Sequence, residues 1–123
     1  MSTKDVANKL VNYCREGKWE AAYKELYSPS IQSTEMPGMP NEKCEGMEAV
    51  IKKSQQWMGS VVEMHKCEVS EPIIAEPYFT VKMDMDVTFK ERGRQRTQEI
   101  CIYKVKDNAI VSEQFFYNNE EPC

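Results

Sequence analysis

Residues 78–89, "YFTVKMDMDVTF", alternate strictly between apolar and polar side chains. A period of two is typical of a β-strand with one face on a core and the other in water. The apolar side comprises Phe79, Val81, Met83, Met85, Val87 and Phe89. The opposite side comprises Thr80, Lys82, Asp84, Asp86 and Thr88 and is expected to face solvent or a partner subunit. Other elements of the fold must therefore cover the apolar side.

Two short helices are predicted before residue 29. Ser2 and Asp5 resemble a capping box that begins the first helix, and Gly17 is a natural end for it. A second helix follows in "KWEAAYKELY" and cannot continue through Pro29. The core-facing stripes are Val6, Leu10, Tyr13 and Cys14 in the first helix and Trp19, Ala22, Tyr23 and Leu26 in the second.

The middle of the chain predicts a short strand, a loop and a third helix. "SIQSTEM" has the strand pattern, and Pro37, Gly38 and Pro40 break it into a loop that runs to about Gly46. The third helix has one broad stripe, formed by Met47, Val50, Ile51, Ser54, Trp57, Met58, Val61 and Val62. The side chains off that stripe are Lys52, Lys53, Gln55 and Gln56.

Strands dominate the rest of the chain and define the fold class. "EMHKCEVSEPII" is a strand kinked near Pro72, "KERGRQ" is a turn, and "TQEICIYKV" and "AIVSEQFFY" are strands joined by the tight turn "KDN". The last residues, "NNEEPC", form a polar tail. Strands clustered after helices indicate an α+β fold. We predict a single domain, residues 1–123, in which a curved, mostly antiparallel β-sheet wraps around three N-terminal helices as a cone with an internal pocket.

Composition narrows the choice of partner and compartment. The formal net charge of −4 argues against binding nucleic acid, and no apolar run is long enough to span a membrane. Because the N-terminus lacks a signal-peptide pattern, we expect a cytoplasmic protein. The cysteines show no CxxC spacing, so we expect reduced thiols and no structural metal site. Cys123 is expected on a loose tail. We expect no cofactor.

Three segments together resemble a known family. "GKWEAAYKELYSPSIQSTEMP", "EGMEAVIKKSQQW" and "ICIYKVKDNAIVSEQFFY" are similar to the SnoaL-like branch of the nuclear transport factor 2-like superfamily. The resemblance implies a curved sheet around three helices, a deep pocket and a homodimer formed through the sheet. It also implies mixed functions, among them ketosteroid isomerases, polyketide cyclases, dehydratases and pure binding proteins, and a shared fold does not decide among these.

The catalytic positions of those enzymes are not matched in this chain. The resemblance places the isomerase base at Met36, the isomerase tyrosine near Leu10 and the isomerase oxyanion acid at about Cys101. It places the cyclase base at Phe115. None of these side chains has the chemistry that the related enzymes use, and methionine cannot accept a proton.

Two acid–base candidates stand apart in the sequence. Glu35 lies beside the isomerase base position. If its side chain turns into an apolar cone, desolvation would raise its pKa towards a value useful for proton abstraction. The alternative is a carboxylate at the rim of the cone that accepts hydrogen bonds from loop amides. Because neighbouring strand residues face opposite ways, we expect Met36 to point into the cone unless Pro37 distorts the strand end and turns Glu35 inward. His65, the only histidine, either pairs with a carboxylate or faces solvent.

Two consecutive strands bring further candidates together. The residues that share a side are Glu99, Cys101 and Tyr103 in one strand and Glu113, Phe115 and Tyr117 in the next. Antiparallel pairing could place Glu99 or Tyr103 near Glu113 or Tyr117, and two carboxylates in one apolar cavity would have pKa values that separate. The alternative is a polar ladder on the outer, dimer-forming face, satisfied by Arg94 or Arg96, because a slip of one residue inverts the faces.

Two hypotheses for function follow. In the first, a homodimer holds an apolar or amphipathic small molecule in the cone. In the second, a pocket carboxylate acts as general base of a cofactor-independent isomerase, cyclase or dehydratase, with a tyrosine or His65 stabilising the oxyanion. The candidate catalytic residues are Glu35, Glu113, His65 and Glu99, and the candidate pocket-lining residues are Tyr13, Met36, Trp57, Cys101, Tyr103, Phe115 and Tyr117. The enzyme hypothesis requires at least two titratable side chains within hydrogen-bond reach in one cavity.

Overall fold

A computed structural model of the chain describes residues 2–39 and 42–117. The helices are α1 (Thr3–Arg15), α2 (Trp19–Leu26) and α3 (Met47–Gly59). The strands are β1 (Tyr27–Thr34), β2 (Lys43–Glu45), β3 (Val61–Val69), β4 (Ile73–Ala75), β5 (Tyr78–Phe89), β6 (Gly93–Lys106) and β7 (Ala109–Tyr117). The α+β class is confirmed. The predicted tail at residues 118–123, with Cys123, lies outside the described residues.

The seven strands form one curved sheet that wraps around the helices. The strand order is β2-β1-β7-β6-β5-β3, and β4 pairs with β5 at the side. Neighbouring strands are antiparallel except β1 and β7, which run parallel. The predicted curved, mostly antiparallel sheet around three helices is therefore confirmed, and its inner face is the one that the helices contact.

The core lies between the helices and the inner face of the sheet. The capping box that begins α1 is present, since Ser2 Oγ accepts a hydrogen bond from Asp5 N and Asp5 Oδ2 accepts one from Ser2 N, both at 3.1 Å. Phe79 of β5 stacks on Tyr103 of β6 with 4.8 Å between ring centroids. The largest fully buried apolar side chains are Phe79, Leu10, Leu26, Ile31, Ile110, Val6, Val50 and Val87. Burial of each contributes roughly 1.5–3 kcal/mol, which makes this the main source of stability.

Strand β5 has the two faces that its alternation predicts. Five of its six alternating apolar residues are buried, and Met85 is half-buried. On the other side, Asp86 is covered by Arg94, whose Nε and Nη2 donate to the two carboxylate oxygens at 2.9 and 2.8 Å. The guanidinium holds the pKa of Asp86 below its usual range.

The boundaries of α3 and β1 differ from the prediction. Helix α3 ends at Gly59, and Val61 and Val62 begin β3 instead of continuing the helical stripe. Two apolar residues satisfy both the helical and the strand pattern, so periodicity could not separate the two elements here. Strand β1 begins at Tyr27 and passes through Pro29, which is tolerated because the pairing of β1 with β7 is irregular between residues 27 and 32.

The remaining differences concern short or interrupted strands. The predicted loop before Gly46 contains β2, which is too short to show a period. The strand predicted across Pro72 is split into β3 and β4. Strand β6 begins at Gly93, so its hairpin with β5 is tighter than expected. The tight turn after β6 is confirmed by positive φ angles of 51° at Asp107 and 65° at Asn108.

Candidate functional site

Strands β6 and β7 place their acidic residues on the inner face of the sheet. Glu99 pairs with Tyr117, and Tyr103 pairs with Glu113. The direction is fixed by burial, because Cys101 is 0%, Tyr103 2% and Glu113 3% exposed. The predicted proximity of these residues is confirmed, and the alternative of a polar ladder on the outer face is wrong.

A chain of hydrogen bonds begins at Glu113. The Tyr27 hydroxyl donates to Glu113 Oε1, and the Ser33 hydroxyl donates to Glu113 Oε2 at 2.7 Å. Ser33 Oγ in turn accepts a hydrogen bond from Lys53 Nζ at 2.7 Å. Burial raises the pKa of Glu113, while the two hydroxyls oppose that shift. Glu113 is therefore an enclosed carboxyl group whose oxygens already have protein partners.

The chain continues through Lys53 towards the open end of the inner face. Lys53 Nζ donates to Glu35 Oε2 at 2.9 Å, and the Tyr117 hydroxyl donates to Glu35 Oε1 at 2.8 Å. The ammonium group also lies 5.3 Å from the ring centroid of Phe115. The side chains of Lys53 and Glu35 are 18% and 17% exposed, so this ion pair is sheltered but reaches solvent.

Glu99 lies beside this chain without being a link in it. Burial and, to a smaller extent, the negative charges of Glu35 and Glu113 raise its pKa from 4.5 to about 7, against the opposing effect of Lys53. Its side chain is nevertheless only half-buried. We call these residues the inner-face cluster: Tyr27, Ser33, Glu35, Lys53, Glu99, Glu113 and Tyr117.

Glu35 points inward for a simpler reason than the one expected from sequence. Ile31 and Ser33 of β1 are buried, and Glu35 continues the same side of the chain two residues later. No distortion by Pro37 is needed, so the expectation that only a distorted strand end could turn Glu35 inward is wrong. Met36 lies beside the cluster, where its sulfur accepts a hydrogen bond from Tyr117 N at 3.3 Å.

Three candidates from the sequence, His65, Tyr13 and Trp57, make their contacts away from the cluster. His65 is on β3, two strands away from β6, and its ring contacts Thr88 and Glu63. Tyr13 is half-buried against the core, and a hydrogen bond to Glu25 raises the pKa of its hydroxyl. Trp57 packs edge-on against Phe89 at 5.7 Å, as helix-to-sheet packing.

The other pocket-lining candidates divide by burial. Cys101 and Tyr103 are enclosed in the core, where burial raises the pKa of both. Phe115 and Tyr117 share the inner face but stay half-buried, as does Glu99. Because these residues face inward and are still accessible, the helices leave this end of the inner face open.

Sequence reasoning missed three members of the cluster. Ser33 could have been found from the period-two register that it shares with Ile31. Lys53 was expected off the apolar stripe of α3, but it lies three residues after the buried Val50 and so faces the sheet. No pattern in the sequence pointed to Tyr27, because a strand was not expected to begin at that residue.

A separate cleft of about 310 Å³ lies between α2 and α3. Its lining residues are Gly17, Trp19, Glu20, Tyr23, Ile51, Ser54, Gln55 and Met58. Tyr23 packs edge-on against Tyr27, with 4.8 Å between centroids. Tyr23 therefore lies between the cleft and the aromatic residue that contacts Glu113.

Two classes of site find no support in the described part of the chain. Within residues 2–39 and 42–117, no group of three or more His, Cys, Asp or Glu side chains could hold a metal ion. None of the helices in those two ranges is long and apolar enough to cross a membrane.

The chain has the fold of solved structures described as NTF2-like, cystatin-like and ketosteroid isomerase-like. Residues 1–117 match the family described as the SnoaL-like domain, and the chain belongs to that family. No curated protein matches its sequence.

Three solved structures illustrate the likeness. A candidate SnoaL-like polyketide cyclase from Mesorhizobium loti is 29% identical, with a TM-score of 0.90 over 95% of this chain and 100% of that one. An NTF2-like protein from Burkholderia thailandensis is 13% identical, with a TM-score of 0.81 over 96% and 92% of the two chains. A ketosteroid isomerase-like protein from Catenulispora acidiphila, solved with trimethylamine, is 10% identical, with a TM-score of 0.74 over 93% and 85%. The last two likenesses concern the fold alone.

Proposed function

We propose that the protein binds an amphipathic small molecule on the open end of its inner face and transfers a proton at a carbon next to a carbonyl group, without a cofactor. The observation that carries the proposal is the position of Glu99. It is a half-buried carboxyl group on the inner face, opposite Tyr117 and beside the Lys53–Glu35 pair, with its pKa raised to about 7. A general base is most effective when its pKa lies near the working pH.

The other two carboxylates of the cluster are less suited to the role of base. Glu113 is 3% exposed and accepts hydrogen bonds from Tyr27 and Ser33, so a substrate cannot reach it without displacing the core. Glu35 accepts hydrogen bonds from Lys53 and Tyr117 at both oxygens. We therefore assign these two carboxylates to holding Lys53, Ser33 and the tyrosines in place.

Lys53 is suited to stabilise the enolate that proton removal creates. Among the described residues of the cluster, it is the one positively charged side chain, and three carboxyl groups surround it. An ammonium group that is already held in position stabilises a developing negative charge without first having to reorganise. Tyr117 donates its one hydroxyl proton to Glu35 Oε1 and so helps to hold the carboxylate that positions Lys53.

This assignment combines the two hypotheses drawn from the sequence. The enzyme hypothesis needed two titratable groups within hydrogen-bond reach, and the cluster supplies Glu35, Lys53 and Tyr117 in one connected set. The pure binding hypothesis relied on the unmatched catalytic positions of related enzymes. The cluster supports chemistry because it brings acidic side chains together at other positions of the same fold.

The test is deuterium incorporation into ketones. In D₂O, the wild-type protein should exchange the hydrogens next to the carbonyl of at least one member of a panel of cyclic ketones and 1,3-diketones, measured by NMR. Because the base must be ionised, the rate should rise as pH increases to about 7 and then level off. No exchange above buffer with any member of the panel would contradict the proposal.

We also propose that the protein forms a homodimer through the outer face of the sheet. Apolar side chains form a patch there on adjacent strands: Tyr78, Ile100, Ile102 and Phe116, which are 37–47% exposed. Ile100 and Phe116 are direct cross-strand partners. Contiguous exposed apolar surface of this kind marks an interaction site, and a second copy would present the same patch to it.

Charge on the outer patch should dissociate the dimer. We expect the double variant Ile100→Lys, Phe116→Lys to sediment as a monomer under conditions in which the wild-type protein is dimeric, because two like charges would face two others across the interface. Asn8→Lys, an exposed position on α1, is the matched control and should leave the dimer intact. A wild-type protein that is monomeric at all concentrations tested would refute the proposal.

A further inference from the structure

His65 lies at an irregularity of the sheet, far from the inner-face cluster. In the pairing of β3 with β5, Met64 is opposite Val87 and Lys66 is opposite Asp86, so His65 is an extra residue without its own partner. This is the arrangement of a β-bulge, which redirects the side chain of the extra residue. His65 lies on the same outer face as Glu63 two residues earlier, where Thr88 also lies, and the bulge places Lys66 on that face as well.

The His65 ring is held between a carboxylate and a hydroxyl group. His65 Nδ1 is 3.0 Å from Glu63 Oε2, and His65 Nε2 is 2.7 Å from Thr88 Oγ1. The imidazole side chain is 23% exposed and Glu63 is 65% exposed. With its proton on Nδ1, the ring donates to Glu63 and accepts the hydroxyl proton of Thr88, which is the order of contacts in a carboxylate–histidine–hydroxyl triad.

We propose that Glu63, His65 and Thr88 form an acyl-accepting site on the outer face, in which Thr88 is the nucleophile for an activated ester or thioester. Thr88 Oγ1 bonds to the acyl carbon while its proton passes to His65 Nε2. The alcohol or thiol leaves with the electron pair of its bond to carbon and takes up that proton. Water then hydrolyses the threonine ester and releases the acid.

One positively charged side chain lies across the strands from Thr88. Thr88 is paired across the strands with Arg94, which lies on the same outer face. The guanidinium of Arg94 is fixed by two hydrogen bonds to Asp86 and is 60% exposed. Asp86 offsets much of this charge, so Arg94 would stabilise the tetrahedral intermediate less than donors in a water-free site would.

A purely structural role for the same contacts makes different predictions. Glu63 and Thr88 are direct cross-strand partners, so the three side chains would then act only as a polar ladder that holds β3 to β5. Such a ladder needs the hydrogen bonds but not the reactivity of the hydroxyl. Measurements of the reactivity of the Thr88 hydroxyl therefore distinguish the two roles, whereas measurements of stability do not.

The test uses p-nitrophenyl acetate with the full-length protein. We expect an initial burst of p-nitrophenolate and the mass of one acetyl group on the peptide that contains Thr88, found after acid quenching. Thr88→Val should lose both signals because it keeps the shape and lacks the hydroxyl. Thr88→Ser should keep them, and His65→Gln should slow the burst by at least about 10-fold.

Three results would overturn the proposal. One is hydrolysis that is unchanged in Thr88→Val, and another is acetyl groups found only on lysine. The third is activity that His65→Gln leaves intact. Thermal unfolding of each variant serves as the folding check, and Glu68→Gln, an exposed neighbour on β3, is the matched control that should behave as wild type.

Discussion

Glu99→Gln is expected to lower the rate of ketone deuterium exchange by about 10²–10⁴-fold, the usual contribution of a general base. Glutamine keeps the shape and the polarity of the side chain but cannot take up a proton at neutral pH. The substitution leaves the Tyr27–Glu113–Ser33–Lys53 chain intact, because Glu99 is not one of its links. The loss should therefore appear in kcat, with a small change in KM.

Two further variants make this result specific. Glu68 is an exposed carboxylate on β3 that pairs with Lys66 at 2.9 Å. The variant Glu68→Gln should therefore catalyse exchange at the wild-type rate. Lys53→Met should also lose activity, because the enolate would lose its positive partner. If Glu99→Gln kept its activity while Glu35→Gln lost it, the base would be Glu35 and our assignment of roles within the cluster would be wrong.

The fold was largely predictable because long elements carry a clear period. The alternation of residues 78–89 gave β5 its two faces, and the apolar spacing from Val6 to Cys14 gave α1 its buried stripe. The short elements could not be predicted, and the reason is physical. The three residues of β2 are held by pairing with β1, a contact between distant parts of the chain that no local pattern reveals.

The site was predictable only in part. Antiparallel order and a short turn were enough to bring Glu99 opposite Tyr117, and that prediction is confirmed. Lys53 and Tyr27 could not be placed, because their contacts with Ser33 and Glu113 depend on how α3 and β1 pack on β7. The inward direction of Glu35 follows from the alternation that begins at Ile31 and does not depend on Pro37.

Glu99→Gln should also make the protein more stable at alkaline pH than the wild type, by roughly 2–3 kcal/mol once the partial exposure of the side chain is allowed for. In the folded protein the pKa of Glu99 is about 7, and in the unfolded chain it is near 4.5. Between these two values the folded state keeps a proton that the unfolded state has lost. Stability therefore falls as pH rises through this window, and the loss is complete above about pH 7.

Glutamine cannot ionise, so the variant should not show this loss. Urea unfolding at about pH 4.5 and about pH 8 should give a difference between variant and wild type that grows with pH in favour of the variant. For Glu68→Gln the difference from wild type should stay constant over the same range. A constant difference for Glu99→Gln as well would show that Glu99 is ionised at low pH in the folded protein. In that case deuterium exchange by the wild-type protein should also lack a rise near pH 7, because stability and activity rest on the same carboxyl group.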